Sequence, residues 1–502
     1  MSLLLLGVLG IAPTSGILFV LLKLLYIRWK CRHIPSPKTS SFVLGHLYEI
    51  KKEQSKGHGE IDSLILKWHS EVGGVFVMYT LWDAMVMVLD PKHIQAIYAA
   101  NPPLHKYKKH TVQIGYTFGE RFVGKGLLPV YDNDLHKRTR QLYDEAFNAD
   151  KLYPKFFESV EDFIKRLKPL ADGKTQVSLK KQVYAASMDV ISKVLFSFDF
   201  EKEWKGRSFE IKHMGTLDIY TLWDLALEGS ANGALDPFFK FLHPFKAEGY
   251  REVSRTLRMI GREWIQKRIK AIENKETVPN DVLTRTLKLA SKDQLADLEH
   301  LVDHFANFHT GGAEPVATAL SFTLVLIHLN PEEGLKPLMS EIDEVLGKKK
   351  TITVDDLEKL KYTEQVVLEA MRMYFPATPI PKESPSEGIS LDGHFIPPGI
   401  PIATHGGAMG RMPQYFEEPD TFKPSRFAPD KKRPGPFVFF PYGLGDRSCV
   451  GIRVAKVMNK LLLARLLQVY QIKLPDGYKL EAQEKLIKRS YNDIDCTLTL
   501  RN

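Results

Sequence analysis

The sequence predicts a mainly helical fold with a minor β component, closed around one core behind a short apolar N-terminal segment. Three observations carry this expectation. Residues 135–345 read as helix after helix, with turns only around Ala171-Asp172-Gly173 and Val278-Pro279-Asn280. Strand-like patterns are confined to two short regions, 75–90 and 388–404. No low-complexity linker, internal repeat or long Ser/Gly/Pro tract marks a cut in the 502 residues. One large domain at 34–502, after an anchor and basic flank at 1–33, is therefore expected.

Residues 2–22 carry no charge and are rich in Leu, Ile and Val, and about 20 apolar residues suffice to span a bilayer. Lys23, Arg28, Lys30 and Arg32 follow at once, which by the positive-inside rule leaves the bulk of the chain in the cytosol. A cleaved signal peptide would carry its basic residues before the apolar run. Ile34-Pro35-Ser36-Pro37 is a stiff extended exit, since each proline fixes φ and disfavours helix in its predecessor. Val75, Val77, Tyr79, Met85, Val86, Val88 and Leu89 then indicate paired strands. After the helical middle, Val354-Asp355-Asp356-Leu357 starts a run ending near the prolines of 376–381. Ile389, Leu391, Phe395 and Ile396 around Gly393, then Ile400 and Ile402, read as short hairpins. A last helix buries Val454, Val457, Met458, Leu461, Leu462 and Leu466.

The net charge of +9 comes from bases interspersed with acids, and no nucleic-acid motif accompanies it. An anionic membrane or an acidic electron donor is the better partner for such a surface. Only Cys31, Cys449 and Cys496 occur, too few and too scattered for a disulfide framework.

One of these cysteines has a conspicuous setting. Phe440-Pro441-Tyr442-Gly443-Leu444-Gly445-Asp446-Arg447-Ser448-Cys449-Val450-Gly451 is a glycine-kinked loop that presents a thiol just ahead of a helix start. Backbone N–H groups and the positive helix end favour thiolate there, and a lone thiolate suits axial ligation of haem iron. A buried structural cysteine is the usual fate of a single Cys, but Gly445, Arg447, Cys449 and Gly451 at alternate positions argue against it. The loop resembles the cysteine loop of the cytochromes P450, with Tyr442 where that family usually has Phe.

The resemblance extends over nearly the whole chain and implies a P450 fold enclosing haem b, with Cys449 as the iron's axial ligand. Glu369 and Arg372 lie at i and i+3 of a helical run. An exposed pair of that kind is worth little, but the resemblance adds Arg426 from Pro424-Ser425-Arg426-Phe427 and makes the three a buried structural triad. For the haem propionates it implies Arg447, Arg140 and Lys382, with His136 standing where the family has Trp. It also implies an endoplasmic reticulum membrane location and electrons from NADPH through NADPH-cytochrome P450 reductase.

Phe308-His309-Thr310-Gly311-Gly312-Ala313-Glu314-Pro315-Val316 departs from the family pattern. Gly311, Gly312 and Glu314 match the oxygen-handling stretch of P450 monooxygenases, but Pro315 replaces its threonine. Proline removes an N–H and frees the carbonyl of Gly311, so a local kink is expected. Thr318 and Thr310 are the nearest remaining hydroxyls. Residues near 105–130, 205–245 and 374–382 are expected pocket walls, and Tyr116, Phe122, Leu222, Phe305 and Ile380 fit either a lipid pocket or plain core.

Three functions are compatible with these residues. A monooxygenase would insert oxygen from O₂ into a C–H bond of a sterol or similar lipid. A reductase-independent P450 would rearrange fatty-acid hydroperoxides to epoxyalcohols or allene oxides, which agrees with Gly-Gly and the missing threonine but not with Glu314. A non-catalytic haem or lipid carrier would leave the intact Cys449 loop without a purpose.

Overall fold

The computed structural model describes residues 18–55, 61–100, 102–147, 149–204, 206–235, 238–290, 297–377, 381–484 and 486–501. Residues 2–17 of the expected anchor, and Ile380, lie outside them. Residues 18–31 form helix α1, on which Leu18, Phe19, Leu22, Leu25 and Trp29 are exposed.

Strands β1 (Val75–Thr80) and β2 (Asp83–Val88) pair as the antiparallel hairpin expected from their apolar content. Two short strands join them, β3 (Lys382–Glu383) and, after the hairpin β4 (Ile389–Leu391) and β5 (His394–Ile396), β6 (Pro401–Ala403). The sheet order is β1-β2-β6-β3, with β6 parallel to β2 and antiparallel to β3. Its core, around Phe76, Val86, Ile402 and Trp68, is separate from the larger helical core.

The helical core is built by α2 (Asn133–Ala146), α3 (Leu179–Phe196), α4 (Ile219–Leu235), α5 (Pro244–Glu273), α6 (Leu298–Leu329), α7 (Lys361–Met373) and α8 (Ile452–Val469). Start signals in the sequence set two of them. Asp132 accepts from Leu135 N–H at 2.7 Å to cap α2, and Asp297 accepts from His300 N–H at 3.0 Å to cap α6. Helix α6 is long and apolar enough to cross a membrane, but it runs through the middle of the core. Its neighbours approach closely at glycines. A Cβ on Gly312 would come within 2.8 Å of Ile191 on α3, and one on Gly261 of α5 within 2.6 Å of Phe305. Pro315 sits inside α6, and the helix is continuous through it.

A C-terminal hairpin, β7 (Ala482–Glu484) and β8 (Lys488–Ser490), completes the enclosure. Successive residues of a strand point to opposite faces, and here both faces are clamped. Lys488 pairs with Asp62 at 2.6 Å, beside Glu484 and His405. Arg489 pairs on the other side with Glu314 and Asp224, each at 2.6 Å.

Candidate active site

Between α6, the Cys449 loop and the β7–β8 hairpin lies a cavity. Phe440 to Gly451 fold as the sequence requires: Gly443 and Gly445 take positive φ values of 75° and 58°. Gly443 N–H donates to Phe440 O at 2.9 Å, and Cys449 N–H donates to Tyr442 O at 2.8 Å. Gly451 then caps α8. Cys449 opens onto the cavity yet lies deep in the protein. Burial raises its thiol pKa, against the opposing pull of the Gly451 N–H and Arg140. Burial thus works against the pull of the helix end, and a cation bound at the sulfur would favour the thiolate. Tyr442 lines the same cavity, its phenol pKa raised by burial and by Cys449.

The wall also carries a concentration of positive groups: Lys106, His136, Arg140, Lys382 and Arg447. Among the described residues no carboxylate lines this cavity. Long-range pairing assembles the cluster. The chain at 105–107 runs beside β3, with a bridge between Lys106 and Lys382. Lys106 Nζ donates to Leu128 O at 2.6 Å, and Lys382 Nζ to Leu104 O at 3.0 Å. Arg447 donates to Val130 O at 2.9 Å and Asn133 Oδ1 at 2.7 Å, and Arg140 to Ser448 O. These charges disfavour one another. Burial, then Arg447 and Lys382, push Lys106 well below the usual lysine range. Burial and Arg447 take Lys382 down to about 8, and burial takes Arg447 down to about 10. His136 falls to about 3 through burial and the four cations around it.

This donor set fits haem. A thiol that could take the iron faces the cavity, and the cationic corner, of which among the described residues only Arg140 is ion-paired to a carboxylate, Asp144 at 2.8 Å, could receive a dianion such as a pair of propionates. Lys106 was not singled out by sequence reasoning. The signal that would have found it is its pairing with Lys382, which is tertiary.

Glu369, Arg372 and Arg426 are brought together. Arg372 holds Glu369 through two bonds of 2.8 Å, both side chains fully buried, and Arg426 approaches the same carboxylate at 3.3 Å. Lys423 N–H donates to Glu369 at 2.8 Å, and Arg372 also donates to Gly410 O and Pro419 O. Both oxygens of Glu369 and all three guanidinium nitrogens of Arg372 have a partner, as a buried charge requires.

The α6 residues divide between two faces. Thr310, Gly311, Gly312 and Pro315 line the cavity. Glu314 and Thr318 are buried away from that wall. Burial raises the Glu314 pKa, and Arg489 opposes the rise. Arg489 is itself held up by Glu314 and Asp224 against its own burial. Of the expected pocket walls, Lys106, Leu127, Leu128, Leu227, Pro376 and Ala377 reach the cavity. Phe122, Leu222 and Phe305 instead belong to the helical core, where Phe122 and Phe305 are within ring contact of Trp223. Tyr116 is half-buried in a small strand pair outside the wall.

A family model described as cytochrome P450 matches residues 35–493. Among similar proteins, cytochrome P450 3A6 of Oryctolagus cuniculus is 26% identical over 88% of this chain and 86% of its own length. Cytochrome P450 3A13 of Mus musculus is 26% identical over 88% and 85%. Cytochrome P450 4d2 of Drosophila melanogaster is 24% identical over 99% of this chain and 100% of its own.

Proposed function

The chain belongs to the cytochrome P450 family of monooxygenase oxidoreductases, and on that premise we propose that it hydroxylates a sterol or related lipid in the manner of cholesterol 24-hydroxylase. The observation that carries this reading is the character of the cavity. Apart from Cys449, the cationic groups and a few polar side chains, its wall is largely apolar, with Ile114, Leu127, Leu195, Leu227, Phe308 and Leu486. Such a wall suits a large apolar ligand and excludes water from the reacting end. Stretches outside the family motifs, including Ile260-Gly261-Arg262-Glu263-Trp264 and Met409-Gly410-Arg411-Met412, resemble cholesterol 24-hydroxylase.

Haem, when bound, supplies the activation of O₂ and the insertion of one oxygen atom into a C–H bond. The chain's own residues do the rest. Cys449 would ligate the iron, and Lys106, His136, Arg140, Lys382 and Arg447 would hold the propionates. Tyr442 shields the sulfur. Gly311 leaves space beside α6, and Gly312 lets that helix press on α3. Glu314, ion-paired with Arg489 one residue from the cavity wall, takes up a proton when Arg489 yields its carboxylate. Pro315 offers no hydroxyl, so ordered water carries the proton onward, with Thr318 a turn further along. Electrons come from NADPH through a membrane-bound reductase, and residues 2–22 anchor the protein in the endoplasmic reticulum with the catalytic domain in the cytosol.

A second reading has a specific observation behind it. Glu314 is paired with Arg489 rather than set on the cavity wall, and the neighbouring threonine is missing. Both weaken proton delivery, which a fatty-acid hydroperoxide does not need because its O–O bond is already made. Purified protein given cholesterol, reductase and NADPH, or a fatty-acid hydroperoxide alone, separates the two. The first reading expects NADPH-dependent hydroxysterol, and turnover of hydroperoxide without NADPH would replace it with the second. In either case the ferrous–CO complex is expected to show the long-wavelength band of thiolate ligation. Its persistence in Cys449→Ala would refute the ligand assignment.

A further inference from the structure

The cavity wall carries a polar pair that neither haem binding nor proton delivery uses. Asn307, only 5% exposed, lies on α6 one turn before Gly311 and lines the cavity. Its side-chain orientation is fixed by the backbone. Leu128 N–H donates to Asn307 Oδ1 at 2.9 Å, and a Cβ on Gly126 would stand only 3.1 Å from that oxygen. An amide whose oxygen is held by an N–H turns its NH₂ away from that contact. Nδ2 has no protein hydrogen-bond partner among the described residues and is not sealed from the cavity. It lies beside the bare α-carbon of Gly311, 3.8 Å from where a Cβ would be. Glycine leaves that approach open.

Thr310 stands on the same face, three residues on. Its hydroxyl donates to Ala306 O at 2.8 Å, so its proton is committed and its lone pairs remain. In an otherwise apolar stretch of wall, α6 thus presents a pure donor and a pure acceptor one turn apart. A carbonyl or ether oxygen would use only the donor. An O–H group uses both, its oxygen accepting from Asn307 and its proton going to Thr310.

We propose that Asn307 and Thr310 are specificity residues that recognise an O–H group on the lipid, either an alcohol or a hydroperoxide. This rests on reading the cavity as the lipid pocket. A site built to bond an O–H rejects the analogue that lacks it, because its own polar groups are then left unpaired.

The test measures dissociation constants by spectral titration of the haem-loaded full-length protein. Two ligand pairs serve, cholesterol against cholest-5-ene and linoleic acid hydroperoxide against linoleic acid. Asn307→Asp keeps the acceptor for Leu128 and removes the donor. Thr310→Val keeps the volume and removes the lone pairs, and the ferrous–CO band reports whether each variant is intact. In the parent, at least one O–H ligand is expected to bind about tenfold more tightly than its partner. Either substitution should shrink that ratio several-fold while the ligand lacking O–H binds as before. The pair showing the ratio tells alcohol from hydroperoxide. A parent ratio near one for both pairs, or a ratio unmoved by both substitutions, overturns the proposal. Discrimination without product under either reaction condition would sink the catalytic reading and leave the recognition standing, whereas no binding by any of the four ligands would overturn both.

Discussion

At the scale of single residues, the cationic corner makes the sharpest statement about this protein. Lys106, His136, Lys382 and Arg447 are held together in a wall without carboxylates, at the expense of their own preferred charge states. Such an arrangement opposes folding until an anion arrives. Lys382 shows the sign of the effect. Its folded value, about 8, lies below the ordinary 10.5. A base depressed on folding destabilises wherever it is charged, so its penalty is complete below pH 8 and fades as pH rises towards 10.5. Haem-free protein is therefore expected to gain stability across that window relative to Lys382→Met, in which this component is missing. Urea denaturation of both proteins between pH 7 and pH 10 measures it, and a constant difference across the range would refute the assignment. With haem present the order reverses, and Lys382→Met should lose haem more readily. Residues of this site were legible in the sequence to the degree that their geometry is local. Cys449 and Arg447 sit in one loop whose glycines set its shape, and Glu369 and Arg372 share one helical turn. Lys106 and Asn307 were not legible, because their roles depend on segments far apart in the chain.

At the scale of elements, α6 and the β7–β8 hairpin decide how the site works together. The sequence placed 308–316 in its helical middle, by likeness to the family's oxygen-handling stretch, and marked Glu314 and Pro315 within it. It did not reveal that Arg489, from the far end of the chain, would neutralise Glu314. A short strand with two consecutive basic residues, Lys488 and Arg489, carries no signal of what each face meets. Arg489→Met would leave Glu314 buried without its partner, and a loss of about 3–5 kcal/mol is expected on chemical denaturation. Asp224 is nearly half exposed, so Asp224→Asn is expected to cost less than about 1 kcal/mol. Equal losses in the two variants would show that the hairpin depends on the roof contact from α4 rather than on the buried pair. Pro315 makes the second prediction at this scale. Without a hydroxyl at position 315, electrons should leak to hydrogen peroxide or water, and Pro315→Thr should raise the ratio of product formed to NADPH consumed. Tight coupling in the parent would mean that Thr318 or water on Glu314 already serves, and the substitution would then bring no gain.

For the molecule as a whole, the sequence indicated one mainly helical enclosure with a small sheet, and the described residues have that architecture. Helical periodicity and turn chemistry are local, so they survive in a single sequence. Which apolar residues would be cavity wall was not legible, since Phe122 and Leu127 look alike until the tertiary packing sends one inward to Trp223 and the other to the cavity. At this scale the proposed membrane attachment can be tested. Residues 18–31 form a helix with Leu18, Phe19, Leu22, Leu25 and Trp29 exposed, followed by Lys30 and Arg32. Far along the chain, Phe241, Leu242 and Phe245 are 81%, 70% and 68% exposed, an apolar patch that is costly in water. Two membrane contacts of unequal strength are therefore expected. The full-length protein should resist alkaline carbonate, as a spanning segment does. Deletion of residues 2–22 should make it extractable by carbonate while leaving haem bound, with part of the protein still sedimenting with vesicles at neutral pH. Adding Phe241→Ser and Phe245→Ser to the deletion should release that remainder, since each buried aromatic contributes roughly 1.5–3 kcal/mol. Extraction of the full-length protein by carbonate would end the anchor reading. Vesicle binding by the truncated form that ignores the two phenylalanines would place the second contact elsewhere on the surface.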